Sequence, residues 1–127
     1  MDTNLLLWVG QIVLALVFLG VGYSHTAGFE RSSTQPRTAW LTAVGRERMR
    51  IIGILEILGA IGLIVPAATG ILPWLTPLAA AALAVLMVLA AMFHARRPGE
   101  GPNIVFNLVL GAIAALIAYG RFIVAPS

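Results

Sequence analysis

The stretch Gly45–Pro66, GRERMRIIGILEILGAIGLIVP, decides the fold. Arg46, Glu47, Arg48 and Arg50 crowd its start, and a long apolar run follows, broken by one carboxylate, Glu56. A charged edge leading into about twenty apolar residues is the pattern of a helix entering a bilayer. Glu56 stands past Arg50 by about 9 Å along a helix axis. An ionisable group at the bilayer centre costs about 2.5–3.5 kcal/mol on insertion scales, less towards the edge, so this one calls for a partner or a task.

The rest of the chain has the same character. Of its 127 residues, 60% are hydrophobic and 10% are charged. Soluble domains carry about 25% charged residues, so lipid is the expected solvent. The length suits a single domain, 1–127, built as an all-α integral membrane four-helix bundle with short loops. The formal net charge is +3 and every basic residue is Arg. The excess is small and tied to span ends, which argues for membrane orientation and against nucleic acid. With no Cys, the chain cannot form a disulfide relay or a thiolate metal site.

Four spans are predicted, about 5–23, 45–65, 74–93 and 104–124. The first holds Gln11 as its one strongly polar side chain and Trp8 as an interfacial anchor. Its start, Met1-Asp2-Thr3-Asn4, lacks the basic residues of a signal peptide, so it reads as a retained span. Ser24–Gly45 is the longest connection. Pro36 suits the opening of a short helix over Thr38–Val44, with Trp40 and Leu41 on the membrane interface, although an irregular loop fits nearly as well. Pro66 is expected to end the second span, with Ala67–Gly70 as a tight turn. The third span is rich in Ala, which favours close helix approach in lipid. Asn103 is the expected N-cap of the fourth. Arg31, Arg37, Arg46, Arg48, Arg50, Arg96 and Arg97 fall on one side and Arg121 on the other. That bias predicts cytoplasmic loops and both termini outside.

In this topology Tyr23, Ser24, His25, Glu56, His94, Asn103 and Asn107 come to one level near the cytoplasmic face. Polar groups in lipid must meet each other or a wet cavity, so they predict a polar pocket inside the bundle. Gly53, Glu56, Ala60 and Leu63 share one helical face, with small residues beside the carboxylate. Glu56 is then either a structural bridge between helices or a general acid/base, proton carrier or ligand contact. His94 is either a cap on its helix or the partner of Glu56. Asn107 and Gln11 serve as interhelical glue or as ligand contacts, and His25 reads first as a solvated loop histidine. No spacing suggests a metal site, and no nucleotide or haem motif is present.

These residues resemble the DoxX-like family of small bacterial membrane proteins. The likeness rests on IIGILEILGAIGLIVPAATGILPWLTPLAA (Ile51–Ala80), FHARR (Phe93–Arg97) and NIVFNLVLGAIAALIAYGRF (Asn103–Phe122), and more weakly on the first span. It implies a four-helix fold in the bacterial inner membrane. Glu56, His94, Asn107 and Gln11 match the polar positions of that pattern. It also implies links to quinone-coupled redox systems or to the assembly of other membrane proteins. Where the pattern has a Lys after the first span, this chain has Gly22-Tyr23-Ser24-His25, which makes His25 a candidate replacement.

The leading expectation is an accessory or ligand-binding subunit of a membrane redox or assembly system. It would need no intrinsic cofactor, and would bind a quinone, a lipid or a partner membrane protein through Asn107, Gln11, Asn103, His25 and Tyr23. One alternative is an intramembrane enzyme with Glu56 and His94 as catalytic residues acting on an apolar substrate. Another is a proton-linked transporter, which four short helices would support only as a homo-oligomer.

Overall fold

The computed structural model describes residues 2–126. Its long helices are α1 (Thr3–His25), α4 (Arg46–Thr69), α5 (Leu75–Ala95) and α6 (Gly101–Tyr119). Between α1 and α4 lie two short helices, α2 (Phe29–Ser33) and α3 (Leu41–Val44), with a 3₁₀ turn at Pro36–Thr38. After α6 the chain continues as a π turn, Gly120–Val124. The four long segments are each long and apolar enough to cross a membrane. Among the described residues there is no strand. The chain is an all-helical, multi-pass membrane protein.

α1 packs along α4 and α5 along α6; α4 against α5 joins the two pairs, and α1 meets α6 more lightly. The centre is filled by Leu14 and Phe18 of α1, Leu63 of α4, Leu83 and Met87 of α5, and Leu110 and Ile117 of α6. In lipid such packing stabilises through close contact rather than through exclusion of water. The outward faces are as apolar as the core: Leu16, Leu58, Val85 and Leu116 are 65%, 58%, 60% and 68% exposed. A surface of that kind suits acyl chains and not water.

Pro66 does not end its helix; α4 runs on to Thr69 and stops at Gly70 in the left-handed conformation, φ 73°. A proline inside a helix removes the donor for the carbonyl four residues back, here Gly62. The hydroxyl of Thr76 on α5 donates to that carbonyl at 2.9 Å. The neighbouring carbonyl of Leu63 accepts from Gln11 Nε2 of α1 at 2.6 Å. The Thr76 side chain of a neighbouring helix thus compensates the defect, as lipid-embedded backbone requires.

The expected helix over Thr38–Val44 is divided between the 3₁₀ turn and the single turn of α3. Leu41 does not lie on the interface: it is fully buried with Phe29 and Met49 in a small second core. Ser24 Oγ bonds Ser32 Oγ at 2.5 Å, the Thr38 hydroxyl donates to the Ser32 carbonyl, and Arg46 pairs with Glu30 at 2.7 Å. This connection is folded over one end of the bundle. At the start of α6, Glu100 occupies the N-cap position and Asn103 lies inside the first turn. Pro102 is tolerated there because first-turn N–H groups lack helical partners.

Candidate functional site

The polar cluster begins where α1 and α4 come closest. A Cβ added to Gly22 would lie 2.8 Å from the Gly53 carbonyl oxygen, and one added to Gly53 would lie 2.8 Å from that of Gly22. Only glycine permits this crossing. His25 follows Gly22 by one turn and Glu56 follows Gly53 by one turn. Side chains on a helix lean towards its N-terminus, so on these oppositely directed helices the two lean towards each other at the crossing. His25 Nδ1 and Glu56 Oε1 share a hydrogen bond of 2.6 Å, with His25 9% and Glu56 2% exposed. His25 is therefore not a solvated loop residue, and it, not His94, is the partner of Glu56.

His94, at the end of α5, makes a second pair of the same kind. Its Nδ1 bonds Glu100 Oε1 at 2.6 Å, and Arg97 Nε donates to Glu100 Oε2 at 2.7 Å. Glu100 lies in the loop outside the spans. Burial pushes its carboxyl up, but the bonds from Arg97 and His94 and their charges outweigh this and hold it below the usual carboxylate range.

Trp40 joins the two pairs. Its ring stands edge-on to His94, centroids 4.6 Å apart at 87°, and to His25, 5.7 Å apart at 76°. Phe93 packs against both Trp40, at 5.9 Å, and His94, at 5.2 Å. The sequence Glu56–His25–Trp40–His94–Glu100–Arg97 is one continuous run of contacts linking α1, the loop, α4 and α5. The indole Nε1 is buried without a hydrogen-bond partner. Buried donors are nearly always satisfied, so an unpaired one has meaning.

Asn107 lies on α6, also buried, and its Nδ2 has no partner. It lines a lipid-facing groove between α5 and α6 of ≈ 440 Å³, with Val88, Leu89 and Gly111 among the other walls. Asn103 is half-buried one turn earlier and Tyr23 points outward, 63% exposed. Gln11 belongs to the opposite end, where it is fully buried between Leu63 and Arg121. The polar residues therefore form two groups, one towards each end of the bundle. Among the described residues, no three His, Asp or Glu side chains converge as metal ligands would.

Sequence reasoning missed Trp40, Glu100 and Arg121 as members of these groups. Glu100 carried a usable signal: it stands three residues after Arg97 and six after His94, within reach across one tight loop. Arg121 did too, as the one charge inside the last apolar run. Trp40 carried none, because only the folding of the loop onto the bundle places it.

A sequence model of the DoxX-like family matches residues 9–117. No curated protein and no solved structure matches the chain.

Proposed function

This chain belongs to the DoxX-like family, and on that premise we propose that it is an accessory subunit of a membrane redox or assembly system that binds a lipophilic, carbonyl-bearing ligand such as a quinone. The observation that carries the proposal is the pair of unfilled buried donors in one half of the bundle, Trp40 Nε1 and Asn107 Nδ2. Both call for an acceptor, and a quinone head offers two carbonyl oxygens and no donor. The groove beside Asn107 has an apolar floor suited to a prenyl tail.

Native mass spectrometry of gently extracted protein tests this. Bound quinone or a partner subunit should be retained, and Trp40→Phe or Asn107→Leu should lose the quinone. A ligand-free, partner-free monomer that also fails to take up added short-chain quinone would overturn the proposal.

The His25–Glu56 pair favours a second function, intramembrane proton transfer to an apolar substrate with Glu56 as acid/base and His25, rather than His94, as its relay. Full turnover in Glu56→Gln would remove it. We further propose that the histidine end faces the cytoplasm of a bacterial inner membrane, since seven of the arginines gather there. The chain has no Cys, so single cysteines at Thr34 and Ile71 can report orientation. An impermeant maleimide should label Ile71→Cys and spare Thr34→Cys in intact spheroplasts.

A further inference from the structure

At the opposite end of the bundle Arg121 lies inside the protein, 2% exposed. The π turn turns its side chain inward, towards α1. Its Nε donates to Gln11 Oε1 at 2.7 Å, and its Nη1 donates to Asn4 Oδ1 and to the Ala125 carbonyl, each at 2.8 Å. The guanidinium carbon is 5.6 Å from the Trp8 ring centre. Every one of these partners is neutral. Among the described residues no carboxylate pairs with Arg121, and the buried Nη2 has no hydrogen-bond partner. A permanent charge next to lipid, with no counter-charge among the described residues and with one donor unfilled, is an incomplete arrangement.

The same side chain lines a cavity of ≈ 230 Å³ whose other walls are Pro73, Trp74, Pro77, Phe122 and Pro126. Trp74 and Phe122 are more than half exposed, so this cavity opens onto the lipid-facing surface near the membrane edge. With Nε and Nη1 engaged, the unfilled Nη2 of this guanidinium suits one phosphate oxygen, and the charge suits the anion. We propose that this cavity is a phosphate-binding site, with Arg121 supplying the charge and the free Nη2 donor. The apolar walls favour the head group of an anionic phospholipid, with its acyl chains running down past Phe122, over free phosphate. Bound there, the lipid would supply a counter-charge and stabilise the end where α1, α5 and the C-terminal turn meet.

The test is thermal unfolding of the full chain in maltoside micelles, followed by circular dichroism. Added phosphatidylglycerol should raise Tm with the logarithm of its concentration, whereas phosphatidylcholine should do so far less. An equal rise with inorganic phosphate alone would support the site and assign it to the free anion. No rise with either would overturn the proposal. Arg121→Gln should abolish the increment. Because that variant also loses the bonds to Gln11 and Asn4, Pro126→Glu is the second variant. It leaves Arg121 intact and sets a carboxylate at the cavity wall, so the increment should vanish in a folded protein. Retention of the full increment in Pro126→Glu would place the lipid elsewhere and overturn the assignment.

Discussion

Thr76→Val probes how α4 carries a proline through its interior. Valine keeps the shape of threonine and removes only the hydroxyl that donates to the Gly62 carbonyl at 2.9 Å. Leaving a buried acceptor empty costs about 1–3 kcal/mol. Interhelical hydrogen bonds in membranes are worth less on average, about 0.6 kcal/mol with a maximum near 1.7. Here Pro66 has no N–H to offer in exchange, so the loss should sit at the upper end of that range. About 1.5 kcal/mol is a roughly tenfold drop in the folding equilibrium constant. Pro66→Ala returns the N–H that Gly62 lacks. In that background Thr76→Val should cost only about 0.5 kcal/mol, which gives a coupling of about 1 kcal/mol between two residues on different helices. The four proteins are compared by unfolding in mixed micelles as dodecyl sulfate is increased, followed by far-ultraviolet circular dichroism. An equal cost of Thr76→Val with and without Pro66→Ala would refute the compensation.

Gly53→Ala should destabilise by about 1–3 kcal/mol, because the new methyl would meet Thr26 Cγ2 at 2.5 Å and the Gly22 carbonyl at 2.8 Å. Gly20→Ala is its control, since no atom lies within 4 Å of a Cβ there; a comparable loss in both would show that the α1–α4 crossing is not special. His25→Leu leaves the buried Glu56 carboxyl without its partner and should cost about 1–3 kcal/mol, while adding Glu56→Leu should recover most of it. Additive losses in the double variant would contradict a direct pair. Glu100 has a folded pKa below its unfolded one. Its contribution is therefore present above the unfolded carboxyl range and is lost as pH falls through the lowered folded value. Unfolding measured from neutral to acid pH should show this loss, and Glu100→Gln should flatten it; an unchanged profile would count against the His94–Glu100–Arg97 link.

The four long helices were legible because runs of about twenty apolar residues have few other uses. The level of Glu56, His25 and His94 along the axis was legible too, from counting residues. Which imidazole meets which carboxylate was not. That choice depends on the Gly22–Gly53 crossing, a contact between segments about thirty residues apart with no sign in either one alone. The local rule that proline stops a helix failed at Pro66 because Thr76, on another helix, supplied the missing bond. Trp40 and Leu41 looked interfacial by composition, yet the loop's own serine and threonine bonds fold it inward and take both side chains with it. Arg121 was countable as a charge near the end of the last span, but its place among Gln11, Asn4 and Trp8 was not, because the π turn decides it.

The three tryptophans divide between the ends of the bundle: Trp40 stands between the imidazoles, while Trp8 and Trp74 flank Arg121 and its cavity. Replacing Trp8 and Trp74 by Phe would leave a single fluorophore wedged against two potential quenchers. Its emission lifetime would then track the seating of the first loop on the helices, and a quinone arriving at that indole would shorten it further. The complementary variant, keeping only Trp74, would watch the lipid edge at the far end, so occupancy of the two ends could be followed independently in one molecule.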